Sequence, residues 1–431
     1  MSAKKIYRTD ELPSIRLGEV VSVNGWVEDQ RPLGSLLFMT LRDRWGIAQI
    51  VFNRSSAEVF RVASNVPRQS YVSVGGRIQK SKAKNLQVEV HADSIEVLNK
   101  ASHPLPLDPT GRIESSLDIR LDARALDLRN PKVSAIFKIK SGFLKFAREY
   151  LESKGFLEVN TPKIIGAATE GGAELFSLDY FGKQAYLAQS PQLYKEQLTL
   201  SLGRVYEIAS YFRAEKMHTV RHLNEFLSLD IEAADQSKED VMEILEDMVK
   251  QSHSILKSRY LEEFEKIGIE PSLYNSKFEM ITYSTALREI SEQGKEVNFG
   301  DDLDSEALRL LSSKHKGYYF IADWPASIKP FYIRPSRKHE MLSESFDLMF
   351  GALELASGGE RVAERTVLEK QLTSKGLGLE NFSEHLKVYD WGMPPHSGWG
   401  FGVDRFIMSI TARNNIREAV LYPRDSERIA P

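Results

Sequence analysis

Three prolines within six residues, Pro104, Pro106 and Pro109, interrupt this 431-residue chain, and the hydrophobic period differs on their two sides. Proline fixes φ and withholds a backbone donor, so neither a strand nor a helix is expected to run through such a cluster. On the N-terminal side, short apolar runs are bounded by turn residues: Val20 to Val27, Leu36 to Arg42, Ile47 to Phe52, Tyr71 to Ile78, Leu86 to Val90 and Ile95 to Leu98. One helical stretch, Ser56 to Ala63, lies among them. From Pro131 onward, Ile136, Ile139, Phe143, Phe146, Ala147 and Tyr150 recur at helical spacing, with Gly155 as a C-terminal cap. Phe156 to Val159 then reads as a short strand stopped by Pro162. Val205 to Phe212 and Phe226 to Glu232 read as a hairpin, and Ser237 to Leu256 as a helix opened by a Ser237/Asp240 capping box. Later strands are expected near Tyr318 to Ile321, Phe331 to Arg334 and Phe346 to Leu355.

Five or so strands and one helix in about a hundred residues point to a small β-barrel of the OB-fold type, which binds single-stranded nucleic acid across one face. The expected organisation is a barrel over residues 1–100, a hinge or linker over 101–130, and an α+β domain over 131–431 built on a mainly antiparallel sheet. Residues 1–100 carry 15 Lys+Arg against 10 Asp+Glu, a balance of +5, so the overall −3 leaves −8 for the remainder. A small basic unit on a larger acidic one fits a nucleic-acid-binding module joined to something else, although ordinary surface solvation gives the same modest asymmetry. With no cysteine in the chain, disulfides, thiolate metal sites and cysteine nucleophiles are excluded. No apolar run approaches bilayer length and the start, Met1 to Asp10, is charged, so a cytoplasmic location without a membrane partner is expected.

Five clusters carry chemistry-bearing side chains. In the hairpin's second strand, period two puts Phe226, Ser228, Asp230 and Glu232 on one face and Leu227, Leu229 and Ile231 on the other. Arg213, Glu215, His218, Arg221 and His222 gather at its mouth. Guanidinium for phosphate, a ring for stacking and carboxylates suit a nucleotide; a solvated, ion-paired hairpin is the plain alternative. In TEGGAELF (169–176), paired glycines flanked by Glu170 and Glu174 read as a mobile loop delivering a carboxylate, or simply a turn. In QAYLAQSPQLYKEQ, Ser190 and Pro191 can start a helix carrying Gln192 and Lys195 on one face, a pattern equally at home on a surface. SFDLMFGALELASGGER holds Asp347, Glu354, Ser357 and Arg361. Asp347 and Glu354 have opposite strand parity, so a bulge or turn, expected at Gly351, is needed if both are to face one site as magnesium ligands. In GMPPHSGWGFGVDRFI, Gly398, Gly400 and Gly402 permit close approach of a ligand to the backbone ahead of Arg405, with a glycine-rich strand end as the plain alternative.

Taken in order, these segments resemble one family. The helix, strand and Pro162 segment, the FRAE…RHLNEF hairpin and the GFGVDRF element are similar to motifs 1, 2 and 3 of class II aminoacyl-tRNA synthetases. The barrel sequence GWV…R…GS..F..LRD..G..Q (Gly25 to Gln49) resembles the anticodon-binding domain of the subgroup that charges aspartate, asparagine and lysine. Within it, TEGGAELF and QSPQLYK look like elements of the aspartyl enzymes. The resemblance implies activation of L-aspartate by ATP with Mg2+, transfer to tRNA(Asp) and by extension tRNA(Asn), and a homodimer built on the motif 1 helix, where Phe137 and Leu144 lie off the main apolar face.

Carried over position by position, the resemblance assigns Arg213 to the α-phosphate and substrate carboxylate, Glu215 to the adenine amino group and Phe226 to the ring. Arg221, with His222 and Leu223 near it, and Arg405 with Gly402 hold the outer phosphates. Glu354, Ser357 and Asp347 organise Mg2+. Glu170, Gln192 and Asp230 fix the substrate amine and its surroundings, while Lys195 and Arg361 take its side chain. On the barrel, Phe38 stacks the central anticodon base, and Arg31 and Gln49 contact its neighbours. Some relatives place a bulky aromatic directly after Gly-Trp-Val and a lysine in the later loop; Glu28 and Asn85 stand there in this chain and imply relaxed reading of the third base. Ala363 departs from the family, which usually has histidine two residues after Arg361, and this removes a secondary polar contact. An asparaginyl enzyme and a non-catalytic tRNA-binding paralogue are the alternatives; the second is expected to lack Arg213, Glu354 or Arg405, all of which are present.

Overall fold

The computed structural model describes residues 5–83, 86–166 and 174–431, which divide into two compact units, Met1–Asn130 and Pro131–Pro431. In the first unit, strands β1 (Ile6–Tyr7), β2 (Val20–Leu33), β3 (Leu36–Arg42), β4 (Ile47–Asn53), β5 (Tyr71–Lys80) and β6 (Val88–Asn99) form one sheet in the order β1-β2-β3-β4-β6-β5. A further β2–β5 pairing closes it into a barrel. Helix α1 (Ala57–Asn65) lies between β4 and β5 in the chain. The inward residues Val23, Val27, Met39, Leu41, Ile50, Phe52, Val72, Val74, Ile78 and Val90 are fully or almost fully buried, the alternation expected of strands with one face in a core. The two strands expected at Leu86 to Val90 and Ile95 to Leu98 are one: β6 runs through both, and a register irregularity against Gly75 and Gly76 absorbs the polar residues between them.

Residues 101–130 carry two short helices, α2 (Leu117–Asp122) and α3 (Arg124–Asp127), and fall within the first compact unit. Arg112 pairs with Asp29 at 3.0 Å, and Arg129 donates to the Gln69 side chain at 3.0 Å while its guanidinium lies over the Trp26 ring.

The second unit is built on an eight-stranded sheet. Its strands are β7 (Leu157–Glu158), β11 (Arg204–Phe212), β12 (Glu225–Ala234), β13 (Glu279–Thr282), β14 (Tyr318–Ala322), β15 (Ser345–Phe350), β16 (Leu353–Glu360) and β17 (His396–Gly402). Their order is β13-β14-β15-β16-β17-β12-β11-β7, antiparallel from β14 through to β11. A separate three-stranded sheet comprises β8 (Ile164–Ile165), β9 (Ser177–Tyr180) and β10 (Lys183–Leu187). Helix α4 (Pro131–Ser153) packs with α6 (Lys238–Arg259) and α12 (Val403–Ile410) over one sheet face, in a core that includes Phe143, Leu229, Ile231, Trp399, Phe401 and Phe406. Phe137 and Leu144 are half-buried against that same core. The Ser237/Asp240 capping box that starts α6 is present, with Ser237 N donating to Asp240 at 2.8 Å and Asp240 N to Ser237 Oγ at 3.2 Å.

The remaining helices are α5 (Gln192–Leu202), α7 (Leu261–Ile267), α8 (Tyr283–Ser291), α9 (Ser305–Lys314), α10 (Arg365–Ser374) and α11 (Ser383–Tyr389). Phe331 to Arg334 is not a strand. Pro330 and Pro335 bracket it and Phe331, Tyr332 and Ile333 are all buried, so it crosses the interior as a connection, held by an isolated bridge from Ile333 to Arg361 and by backbone hydrogen bonds of Tyr332 and Arg334 to Val362, Glu360 and Glu344. Phe346 to Leu355 is two strands, β15 and β16, turning at Gly351 with φ +56°.

Candidate active site

The open face of the large sheet carries a cavity of about 440 Å³ lined by β12, β16, β17, α5, α12 and the β11–β12 loop. Strand β12 supplies its floor. Phe226, Ser228 and Asp230 point into it while Leu229 and Ile231 are buried in the helical core, as the period-two pattern requires. Opposite Asp230 and Glu232 in the ladder stand Gly400 and Gly398. A Cβ at Gly398 would lie 2.5 Å from Glu232 Oε2, and one at Gly400 would lie 2.8 Å from Asp230 Oδ1. These glycines therefore make room for carboxylates of the chain itself, and Gly400 and Gly402 also line the cavity.

The β11–β12 loop brings Arg213, Glu215, Arg221, His222 and Leu223 to the same cavity. Asn224 holds it in shape: its side-chain nitrogen donates to the carbonyls of Arg213 and Glu215 at 2.7 and 2.8 Å, and its carbonyl accepts from Arg213 N at 2.9 Å. The Arg213 guanidinium lies 5.3 Å from the Phe226 ring centroid. Glu215 Oε2 is buried without a hydrogen-bond partner among the described residues, leaving an acceptor for an outside donor. Burial, reinforced by Arg405, Arg213 and Arg221, holds His222 below its ordinary value, so its ring is neutral near pH 7. Arg405 at the start of α12 donates to the Glu354 carbonyl at 3.0 Å and lies 3.7 Å from its carboxylate.

Asp347, Ser357 and Glu354 share a face because of a bulge. Asp347 pairs with Ser357 and Leu348 with Ala356, but Met349 pairs with Glu354, so Leu355 is the extra residue. The parity correction thus sits at Leu355, and Gly351 makes the turn. Glu354 and Ser357 line the main cavity, whereas Asp347 lines an adjoining one of about 140 Å³ with Asp302, Lys329 and Glu354. Lys329 grips both Asp347 oxygens at 2.9 and 2.7 Å. Burial, with the charge of Glu354, nevertheless holds Asp347 above the ordinary carboxylate value against the pull of Lys329. Among the described residues no three His, Asp or Glu side chains form a metal cage. Glu354 and Ser357 face the main cavity with Asp347 behind them, oxygen donors of the kind a hard cation takes together with phosphate and water.

At the far end of the cavity, α5 brings Gln192 to the wall, and Arg361, just after β16, forms a fork on Glu232 with Nε to Oε1 at 3.0 Å and NH2 to Oε2 at 3.2 Å. Lys195 is not a wall residue. It sits one layer behind, 3.4 Å from Asp230, 3.5 Å from Glu232 and 3.3 Å from the Trp399 carbonyl. Burial raises Asp230 above the ordinary carboxylate value, with Lys195 and Ser228 opposing the rise. Glu170 and Asn85 lie outside the described residues. Sequence reasoning missed Glu232 as the anchor of both cations, Lys329 as the partner of Asp347, and Asn224 and Asp404 as supports. Asp404 receives Leu227 N at 2.8 Å and Lys140 at 2.5 Å, and its only sequence signal is its place beside Arg405.

On the barrel, Arg31, Phe38 and Gln49 share one face, since Arg31 pairs with Phe38, and Gln49 with Thr40 two residues along. The Arg31 guanidinium lies 5.7 Å from the Phe38 ring centroid, and Gln49 donates to Glu89 at 2.7 Å. Glu28 is the extra residue of a bulge between Val27 and Asp29 and is paired with Arg42, whose NH2 donates to Oε1 at 3.1 Å.

Comparison with known proteins adds the family. The family described as "tRNA synthetases class II (D, K and N)" matches residues 116–426, and "OB-fold nucleic acid binding domain" matches residues 21–98. The chain belongs to the class II tRNA synthetases of the D, K and N group. It is thus an aminoacyl-tRNA ligase with an OB-fold barrel preceding its catalytic domain. The synthetase is 44% identical to the aspartate–tRNA(Asp/Asn) ligase of Methanothermobacter thermautotrophicus over 96% of this chain and 95% of that one. It is 40% identical to the aspartate–tRNA(Asp) ligase of Thermoplasma volcanium over 95% and 96% respectively. Its fold superimposes on asparaginyl-tRNA synthetase from Pyrococcus horikoshii complexed with asparaginyl-adenylate with a TM-score of 0.94, at 32% identity and full coverage of both chains.

Proposed function

We propose that the synthetase activates L-aspartate with ATP and transfers it to tRNA(Asp) and tRNA(Asn). The observation that carries the aspartate reading is the pair of buried cations, Lys195 and Arg361, both fixed by Glu232 at the Gln192 end of the cavity. A side-chain carboxylate there meets the Arg361 guanidinium at the wall, with Lys195 adding positive charge from one layer behind, whereas an asparagine amide turns N–H groups toward a donor-only partner. The names of the relatives from Methanothermobacter and Thermoplasma support the same amino acid.

ATP lies with its base between Phe226 and Glu215, the orphaned Glu215 oxygen accepting from the adenine amino group. Arg213 faces the α-phosphate and the substrate carboxylate; Arg221, His222 and Arg405, beside Gly402, face the outer phosphates. Attack of the aspartate carboxylate on the α-phosphorus forms the P–O bond of the adenylate and releases pyrophosphate. Fixed guanidinium groups stabilise the charge that builds on the phosphate oxygens. Glu354 and Ser357, with Asp347 behind them, would hold Mg2+, which would supply further neutralisation of the phosphates. Gln192, Asp230 and Glu170 hold the substrate amine and its surroundings. Residues 1–100 read the anticodon through Arg31, Phe38 and Gln49, residues 101–130 join them to the catalytic domain at 131–431, and Glu28 and Asn85 leave the third base loosely read.

Among the described residues no helix is long and apolar enough to cross a membrane, in keeping with a cytoplasmic enzyme. The second copy of a homodimer covers the apolar side chains that β7 to β10 leave exposed, Leu157, Ile164, Tyr180 and Phe181. The deciding experiment is ATP–pyrophosphate exchange with aspartate and with asparagine. Aspartate is expected to be favoured by about a thousandfold or more, and comparable rates with the two would overturn the reading.

A further inference from the structure

Behind the side-chain end of the cavity lies a carboxylate that the proposed chemistry does not use. Glu196, next to Lys195 on α5, is fully buried. Gln192 donates to its Oε1 at 2.5 Å and Tyr389 to its Oε2 at 2.8 Å. Two imidazoles also face Oε2: His385 Nε2 at 3.4 Å and His396 Nε2 at 3.9 Å. They differ in what holds their other nitrogen. Gln197 donates to His385 Nδ1 at 3.2 Å, which leaves the proton of a neutral ring on Nε2, facing Glu196. His396 Nδ1 lies 2.8 Å from the Pro394 carbonyl, an acceptor, and so must carry a proton itself. In a neutral His396 the Nε2 lone pair would then face the Glu196 carboxylate in a fully buried position with no other partner among the described residues. Only the doubly protonated ring turns that repulsion into an attraction.

We propose that His396 is carried as an imidazolium paired with Glu196, and that this buried pair sets how strongly the adjoining end of the cavity holds a carboxylate side chain. The proposal rests on the reading of that end as the aspartate side-chain site. The link is structural and electrostatic. Glu196 fixes the Gln192 amide, and the His396 carbonyl accepts from Arg361 N at 2.9 Å. The charged and titratable groups around His396 are Lys195 and Glu196 from α5, Asp230 and Glu232 from β12, Arg361 after β16, and His385 and Tyr389 from α11. Lys195 and Arg361 balance Asp230 and Glu232; the imidazoles of His385 and His396 are the groups that face Glu196. Burial works against the charge on His396, but Glu196 and Glu232 outweigh it and raise its value above that of an ordinary imidazole. Glu196 is correspondingly held low by His385 and His396 against its own burial. As pH rises through the His396 value the site gains one net negative charge close to Arg361, and a bound carboxylate is weakened by about tenfold, while a neutral amide is not.

Two measurements test this. In 15N-histidine NMR of the free protein at pH 7, one buried histidine, absent from the His396→Asn spectrum, is expected with both ring nitrogens protonated. A neutral tautomer there overturns the proposal whatever the substrate. In pyrophosphate exchange, the KM for aspartate is expected to rise about tenfold across the pH at which NMR shows His396 losing a ring proton in the wild type, with kcat and the KM for ATP moving less. Glu196→Gln is expected to remove that rise, because the variant lacks the carboxylate that deprotonation of His396 leaves uncompensated. Titration of free aspartate's own ammonium is common to both proteins and cancels in the comparison. His396→Asn is expected to show the weakened KM already at pH 7, and Glu196→Gln/His396→Asn to recover it. Equal pH profiles for wild type and Glu196→Gln overturn the proposal. An enzyme that exchanges with no aspartate at any pH refutes the substrate reading instead, and the NMR result still judges the ion pair.

Discussion

Asn224 carries more of the nucleotide site than its position in a loop implies. Its one amide nitrogen holds the carbonyls of Arg213 and Glu215, the two residues proposed to meet the α-phosphate and the adenine. Asn224→Ala leaves both carbonyls short of a donor and is expected to lower unfolding stability by about 1–3 kcal/mol. The kcat/KM for ATP in pyrophosphate exchange should fall by about tenfold or more, since small displacements of positioned groups are costly in rate; an unchanged value would show that the loop holds itself. A second single-residue effect concerns pH. His253 on α6 is buried among Tyr274, Tyr318 and Phe406, with Nε2 2.8 Å from the Tyr318 hydroxyl, and burial pushes its value down to about 4. Its unfolded value is about 6.5, so between these limits the unfolded chain binds a proton that the folded one refuses. The stability it contributes is complete above pH 6.5 and is lost as pH falls toward 4, by about 3 kcal/mol. Urea unfolding of wild type and His253→Gln at pH 7 and pH 4.5 checks this: the variant should lose less stability across the interval, and equal losses would exclude His253 as a source of acid lability.

At the scale of elements, α6 shows how far local sequence rules reach. Ser237 and Asp240 satisfy each other's backbone donors at its first turn, and neither lines the cavity. Ser237→Ala is expected to cost about 1 kcal/mol and to leave exchange rates at saturating substrates unchanged, with thermal unfolding and the exchange assay as the paired measurements. This box was legible because Ser-x-x-Asp before an apolar run involves only four neighbouring residues. The acidic face of β12 was legible for a similar reason, period two being a property of the strand alone. What resisted reading depends on a second element. The turn at Gly351 and the bulge at Leu355 both reconcile Asp347 with Glu354 on paper; which one does so is decided by the register of β15 against β16. The glycines of β17 read as a ligand cradle from the sequence alone; that Gly398 and Gly400 also stand opposite Glu232 and Asp230 is set by the ladder. Helix α5 gave no sign that its Gln192, Lys195 and Glu196 face would be buried, because its partners β12, β17 and α11 arrive from segments up to about two hundred residues away.

At the scale of the whole molecule, the basic barrel and the acidic catalytic unit divide one task, and the barrel's part is the less demanding chemically. The aspartate and asparagine anticodons share their first two bases and differ only in the third, cytosine against uracil. An exocyclic amino group read against a carbonyl oxygen by good hydrogen bonds is worth about 1–3 kcal/mol. The residue that follows Gly-Trp-Val here is Glu28, set at a bulge and paired with Arg42. Its carboxylate is therefore already engaged and offers no ring on which a third base could stack, while Phe38, with Arg31 over it, remains as the proposed stacking platform for the base that both tRNAs share. Phe38→Ala is accordingly expected to weaken the charging of both tRNAs alike, by about 1–3 kcal/mol in kcat/KM, and not to alter their ratio. For the wild type, aminoacylation of the two transcripts side by side should give kcat/KM values within about tenfold of each other. A preference for the aspartate tRNA above about a hundredfold, the scale of one well-read base, would mean that another part of the barrel reads the third position and that the Glu28–Arg42 pair does not mark relaxed reading.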